Sequence, residues 1–481
     1  MLRLHDSLTK SIEEFRPMKK GVVTVYNCGP TVYDYVHIGN LRYFVFTDLL
    51  RRHLERRSFE VKQVMNITDV GHMLADADVG EDKMEVAAAK AGRTPQEVAA
   101  FYAEAFFKDI DRLDIRRAMI YPRASEHVPE MIGLIDRLLK NGHAYQVQEK
   151  AADGSTGASV YFDVASFPAY GRLSGNVIEG LNPGARIEVR EAKKHPADFA
   201  LWIYNPRHLM QWDAPWSRGY PGWHVECSAM SMKYLGETID IHTGGEDNKF
   251  PHHECEIAQA EGATGQPFVR HWLHVTHLMV DGEKMSKSKG NFYTLDDLVK
   301  KGYEPRQVRY LLLSTHYRQT LNFTMQGLES AGGALSRFDA FADAVRQAAP
   351  EEAGRPTMQA EKALNDFSES MDEDFNVPEA LAAAFEYVRA INEKIAEVTL
   401  TMRDREAALQ FIEGLGDALG FKFGKGASED EVPEEVTDLI AKRDEARRQR
   451  HFAEADRLRD EIRVKGFVVE DTPAGRRVKR V

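Results

Sequence analysis

A chain of 481 residues with 43% apolar content is long enough for two to four domains and a sizeable core, and no apolar run in it reaches membrane-spanning length. Its formal net charge of -12 argues against indiscriminate nucleic-acid binding while leaving room for a local basic face. Three cysteines, Cys28, Cys227 and Cys255, cannot staple a protein of this size, and Met1-Leu2-Arg3-Leu4-His5-Asp6 lacks a signal-peptide core; the expected setting is cytoplasmic, with the cysteines as metal ligands or core residues.

Residues 21–26 (Gly-Val-Val-Thr-Val-Tyr) predict a β-branched strand, and residues 27–36 carry turn formers. Leu41, Phe44, Val45, Asp48, Leu49 and Leu54 then predict a helix with one largely apolar face, and residues 61–65 a second strand, which completes a βαβ unit. His37-Ile38-Gly39-Asn40 falls where the loop enters the helix. A helix N-terminus offers unpaired N–H groups and a positive dipole end, so phosphate is the expected guest. Gly39 permits close backbone approach, and His37 can donate a hydrogen bond to a phosphate oxygen. By itself, a histidine before a glycine in a loop is usually only a turn residue.

Two later segments concentrate metal-ligating side chains: Pro221-Gly222-Trp223-His224-Val225-Glu226-Cys227-Ser228 and Pro251-His252-His253-Glu254-Cys255-Glu256. On a helix beginning near Phe250, His252 and Glu256 stand at i and i+4 and project from one face. That pair alone is more often a surface hydrogen bond. With Cys227 and Cys28 it makes a set of two sulfurs, one nitrogen and one oxygen, which suits zinc. The spacing does not single out this set: His253 and Cys255 compete, although both are expected on other faces of the helix.

Residues 272–280 predict an apolar strand broken by histidines. Directly after it, Lys284-Met285-Ser286-Lys287-Ser288, continued by Lys289-Gly290-Asn291, gathers cations and hydroxyls between Gly282 and Gly290. Such a loop is either solvated surface or a clamp for phosphates. Ligands of open parallel sheets bind at the carboxyl ends of strands, so the His37 loop and the lysine loop, each following a strand, can reach one crevice. Asn376 with Glu379 three residues later predicts a helix N-cap. Boundaries are expected around residues 349–356 and in the acidic, proline-bearing segment 429–435, after which cations outnumber acids from Lys442 to Arg480.

His37-Ile38-Gly39-Asn40 and residues 284–288 resemble the HIGH and KMSKS motifs of class I aminoacyl-tRNA synthetases. Within that class, Tyr26-Asn27-Cys28-Gly29-Pro30-Thr31-Val32-Tyr33-Asp34, the Trp223 to Cys227 segment and residues 251–256 are similar to the cysteinyl-tRNA synthetase family, nearly end to end. Residues 159–163 and 198–202 resemble its inserted domain, 374–378 its downstream bundle and 454–457 its C-terminal module. The resemblance implies an α/β fold: a Rossmann-like parallel-sheet catalytic domain over 1–315 with an inserted connective domain at about 115–220, a helical stem over 316–425 and a small basic anticodon-binding module over 436–481.

The same resemblance implies the site. Zinc would be held by Cys28, Cys227, His252 and Glu256, with cysteine contacts from Gly29, Thr31, Thr68 and Trp223. ATP, with Mg2+, would lie against His37, Gly39, Asn40, Gly244, Gly245, Asp247, Met285, Ser286, Lys287 and Ser288, with His37, Lys284 and Lys287 catalytic. The implied partners are L-cysteine, ATP and tRNA(Cys), and the implied state is a monomer. The chain departs from the family pattern in four places: Asn40 for histidine, Val70-Gly71-His72-Met73 for an acidic pair and lysine, Thr243 for a glycine, and Val478 for an aromatic that would stack on a base. A ligase that passes cysteine to a small amine, a retired RNA-binding relative and a plain nucleotidyltransferase are the alternatives; the basic C-terminal module favours tRNA.

Overall fold

In the computed structural model, the β-branched run forms the strand Val22–Asn27, which pairs in parallel with Glu60–Met65 on one side and Ile239–Gly245 on the other. Val269–Val275 adds a fourth parallel strand outside Ile239–Gly245. Strand order therefore reverses direction between Val22–Asn27 and Ile239–Gly245, which opens a crevice above their carboxyl ends. Residues 1–70, 82–151, 153–176, 193–351, 358–424, 433–449, 451–472 and 475–480 are described. The expected features at Gly71-His72-Met73, at residues 352–356 and at residues 429–432 lie outside them.

The predicted helix runs Ile38–Arg56, and its apolar stripe is buried together with Arg42, Asp48, Arg52 and His53. Asp48 is fully enclosed and holds two buried guanidiniums, Arg52 at 2.7 Å and Arg309. An unpaired buried charge is costly, so the two arginines and the carboxylate stand or fall as a group.

Residues 272–280 do not form one strand. The run breaks at Thr276-His277, so that Val269–Val275 stays in the parallel sheet while Leu278–Val280 joins a separate three-stranded sheet with Glu283–Lys284 and Leu321–Phe323. The cause lies in the helix: the buried Arg42 guanidinium donates to the carbonyls of Thr276 (2.8 Å), His277 (2.9 Å), His316 (3.1 Å) and Gln319 (2.6 Å). Four carbonyls gathered on one guanidinium fix the path of the chain between the two sheets. The helix that begins at His37 is thereby pinned to the strand that leads into the lysine loop.

An antiparallel sheet of Ala144–Lys150, Thr156–Phe162, Phe199–Ile203 and Tyr220–Pro221 is inserted between the halves of the parallel sheet. Its chain returns through the helix Trp223–Leu235, which brings Cys227 into the same apolar cluster as Cys28 and Cys255. The chain divides into two compact units, one of Met1–Ala331, Ala363–Ala384 and Ala418–Gly420, the other of Gly332–Lys362, Phe385–Asp417 and Phe421–Val481. In the first, Asn376 accepts from the Glu379 N–H at 3.4 Å, as the cap reading expects, just after Asp374 and Phe375 adopt positive φ. In the second, helices Glu434–Arg448 and Phe452–Val464 pack with Phe467 and Val469 of a hairpin in which Val478 pairs with Val469.

Candidate active site and metal centre

Four protein segments meet at the carboxyl ends of the parallel strands. Cys28 follows Val22–Asn27, His242 to Gly245 end the next strand, Cys227 lies on Trp223–Leu235, and the helix His252–Thr264 opens with His252, His253 and Glu256. One ligand atom each from Cys28, Cys227, His252 and Glu256 lies within 4.8 Å of the others, and all four residues are buried. His252 Nε2 stands 3.1 Å from Glu256 Oε1, yet that oxygen has no hydrogen-bond partner. His252 turns its other nitrogen to His224 at 2.9 Å, and Trp223 stacks on its ring at 4.2 Å. A buried carboxylate oxygen left without a partner among two thiols and an imidazole is arranged for a cation.

Burial raises the thiol pKa of Cys28, while a hydrogen bond shared with Cys28, then burial, raises that of Cys227 well above its ordinary value. Burial also raises Glu256. A bound metal would reverse these directions by displacing protons, and the soft-and-borderline donor set fits such an ion.

His253 departs from its expected place. It does not face away from the cluster: its Nε2 lies 3.2 Å from Cys28 Sγ and its Nδ1 2.8 Å from His274. With Cys28, His242 and Glu256 it makes a second group that meets the same distance limit. Both histidines reach the cluster because the strand ends and the first turn of the helix enclose it from two sides, which helical spacing alone does not convey. His242, 2.9 Å from Glu256 Oε2, is absent from the expected set. Its signal was a histidine at the buried end of a strand-like run. Cys255, by contrast, packs in the core with Tyr170 at 3.5 Å.

Of the residues expected to contact the amino acid, Gly29 and Thr68 are joined by one hydrogen-bonded chain. The Gly29 N–H donates to Asn66 Oδ1 (2.8 Å), Asn66 Nδ2 to Thr68 Oγ1 (3.0 Å), and the Thr68 hydroxyl to buried Glu226 (3.0 Å). A Cβ at Gly29 would fall 1.6 Å from the Asn66 carbonyl oxygen, so only glycine fits there. Thr31 bridges Thr68 in parallel fashion. Thr243 accepts from Asn27 at 2.6 Å and lies 2.9 Å from the Tyr43 hydroxyl, polar duties that a glycine side chain could not perform.

At the helix entrance, the unpaired N–H groups expected for phosphate are already spent. His37 Nδ1 accepts from Gly39 (3.1 Å) and Asn40 (3.2 Å), Asn40 Oδ1 accepts from the His37 N–H, and the Ile38 N–H donates to Tyr293. A capping box satisfies the helix instead. Asn40, the departure from the motif, therefore closes the cap. Gly39 leaves room for the His37 ring, which a Cβ would meet at 2.9 Å.

Burial, reinforced by the charge of Lys287, pushes the His37 pKa down to about 4. At neutral pH the ring is thus uncharged, with Nδ1 the acceptor and Nε2 the donor. Because the folded value lies below the unfolded value of about 6.5, its stabilising contribution is complete above about pH 6.5 and is lost as pH falls through 4. Thermal melting between pH 4 and 7 should show a smaller acid-induced fall for His37→Asn, which keeps a cap acceptor, than for the parent protein. Equal slopes would contradict the assignment.

The lysine loop lies over this entrance. Lys287 Nζ contacts the Asp34 carboxylate and sits 5.0 Å from the Phe292 ring, which packs edge-on against His37. Lys287 is 64% exposed and Asp34 36%, so the pair is worth no more than about 1 kcal/mol, and a polyphosphate can displace it. Met285 faces Gly39, Ser286 is held by Asn291 at 2.8 Å, and Ser288 lies in the turn Lys287–Lys289. Lys284 is exposed, with its carbonyl accepting from Asn291 at 3.3 Å. Gly244 and Gly245 end their strand against His253 and Asp247.

The profile described as "tRNA synthetases class I (C) catalytic domain" matches residues 14–333, that of the DALR domain residues 366–424, and that of the "Cysteinyl-tRNA ligase anticodon binding domain" residues 429–478. A cysteine-tRNA ligase of Caldicellulosiruptor saccharolyticus is 42% identical over 100% of both chains, and one of Thermus thermophilus 43% identical over 99% of this chain and 98% of its own. The chain belongs to the cysteine-tRNA ligase family. Among solved structures, a methionyl-tRNA synthetase of Mycobacterium tuberculosis in complex with methionyl-adenylate superposes with a TM-score of 0.59 over 82% of this ligase-family chain and 90% of its own, at 16% identity. A leucyl enzyme of Agrobacterium radiobacter, solved with tRNA, gives 0.60 at 13% over 84% and 85%. These share the class I synthetase fold, which the cysteine-tRNA ligase family member adopts.

Proposed function

We propose that the protein joins L-cysteine to tRNA(Cys) in two steps, activation by ATP and transfer to the 3′-terminal adenosine. The observation that carries this reading is the convergence of Cys28, Cys227, His252 and Glu256 beside the Gly29–Thr68 chain and the His37 entrance. Those four residues would hold zinc, which when bound supplies a soft site that prefers a thiolate to a hydroxyl. Shape alone discriminates poorly between such near-isosteres as cysteine and serine.

In the first step the cysteine carboxylate attacks the α-phosphate of ATP and pyrophosphate leaves. Gly29, Thr31, Thr68 and Trp223 would position the amino acid, and Gly244, Gly245 and Asp247 the adenosine side. His37 Nε2–H would donate to a phosphate oxygen. Lys287 would leave Asp34 and neutralise charge on the polyphosphate with Mg2+, supported by Lys284 and by loop residues Met285, Ser286 and Ser288. Positioning and charge stabilisation supply most of the rate in phosphoryl-centre displacement. In the second step a ribose hydroxyl of the terminal adenosine attacks the activated carbonyl and releases AMP.

The catalytic domain over 1–315, the stem over 316–425 and the basic module over 436–481 would divide chemistry from tRNA binding, with the protein acting as a cytoplasmic monomer. Among the described residues no helix is long and apolar enough to cross a membrane. Pyrophosphate exchange should depend on cysteine and not serine, and the same preparation should charge tRNA. Exchange without charging would favour transfer to a small amine; no cysteine-dependent exchange would overturn the proposal.

A further inference from the structure

Beside the His37 entrance, three aromatic rings cluster at the surface, although Phe106, on the same helix as two of them, is buried. Tyr35 is 43% exposed and Phe101 42% exposed, and Tyr102 is half-buried. They meet edge to face, with Tyr35 to Phe101 at 6.1 Å, Tyr35 to Tyr102 at 5.1 Å and Phe101 to Tyr102 at 5.1 Å. The arrangement is fixed by the helix Pro95–Arg112, which carries two of the rings, and by the loop before His37, which carries the third. Leaving apolar rings in water gains nothing for the fold.

Two observations tie the cluster to the site and to an anionic guest. The Tyr35 N–H donates to Asp34 at 2.8 Å, and Asp34 is the residue that holds Lys287. The Arg93 guanidinium lies over the Phe101 ring at 5.4 Å, and Lys83 lies over Tyr33 at 5.5 Å. Aromatic faces interleaved with cations are how proteins bind unpaired nucleotides, by stacking on bases and by attraction to the backbone.

We propose that Tyr35, Phe101 and Tyr102, with Arg93, form a stacking platform for the unpaired nucleotides at the 3′ end of tRNA. This rests on the two-step reaction proposed above. The platform serves only the second step, because ATP and cysteine are small enough to react without it.

The test uses the full-length protein carrying Phe101→Ala, Phe101→Leu or Phe101→Tyr. Alanine and leucine should each lower kcat/KM for tRNA about tenfold, while tyrosine restores it and cysteine-dependent pyrophosphate exchange stays at the parent rate in all three. Competition with tRNA shortened by its unpaired 3′ nucleotides supplies a second readout. The parent protein should bind full-length tRNA more tightly than shortened tRNA, and Phe101→Ala should erase that difference. Unchanged charging, an equal loss of exchange and charging, or a preserved difference would each overturn the platform. So would a parent-protein dimer in sedimentation that Phe101→Ala abolishes, which would assign the rings to a second copy of the chain. Absence of exchange in the parent protein would instead strike the reaction on which the platform rests.

Discussion

Cys227→Ala is expected to lose its bound metal and, with it, discrimination between cysteine and serine. Partners that merely orient a ligand already contribute about 10- to 100-fold to metal affinity, so removal of a ligand should cost more than that. Two overlapping donor groups give the experiment its resolving power. Cys227 and His252 belong only to the first, whereas His242 and His253 belong only to the second, and Cys28 and Glu256 serve both. Metal analysis by mass spectrometry should therefore find Cys227→Ala depleted and His253→Ala loaded. The reverse result would place the ion between His242 and His253. Selectivity should fall in parallel, to no more than about 100-fold, because a pocket that relies on shape rejects a near-isostere weakly. Both cysteine thiols must give up protons that the apo site holds tightly, so metal affinity should also fall as pH is lowered.

Lys287→Ala is expected to lower the rate of cysteine activation by about 100- to 1000-fold, the range for removing one preorganised charge-stabilising donor. The effect should fall on kcat for pyrophosphate exchange, since Lys287 is exposed and its resting partner is the surface carboxylate of Asp34. Metal content and cysteine binding should be unchanged, because Lys287 rests on Asp34 and beside Phe292, neither of which belongs to the cluster around Glu256. Lys287→Arg should recover part of the loss, as it keeps the charge but spreads it over a wider fork. Activation at the parent rate in Lys287→Ala would remove the loop from the mechanism.

Local chemistry made much of this legible. The strand Val22–Asn27, the helix Ile38–Arg56 and the strand Glu60–Met65 follow from β-branched content and a helical apolar period. The Asn376 cap was legible for the same reason, as side-chain capping involves residues a few positions apart. The break after Val275 was not, because it is caused by Arg42, which lies 234 positions from Thr276. The spent N–H groups at His37 were not legible either: the sequence reads that histidine as a donor to phosphate or a turn residue, and the role of its ring nitrogen depends on a rotamer that spacing does not reveal.

By residue type and order, and through the family they resemble, the sequence pointed to the reaction class, to two loops suited to phosphates and to a pool of metal-ligating side chains. Those properties belong to side chains and survive any arrangement in space. The tertiary structure decided which donors meet. Cys28 lies about two hundred positions before Cys227 and Glu256, and only the parallel order of Val269–Val275, Ile239–Gly245, Val22–Asn27 and Glu60–Met65, with a helix returning from the inserted sheet, brings their ligand atoms within 4.8 Å. It also brought in His242 and His253, because strand ends and a helix start surround a buried point from more directions than one helical face can show.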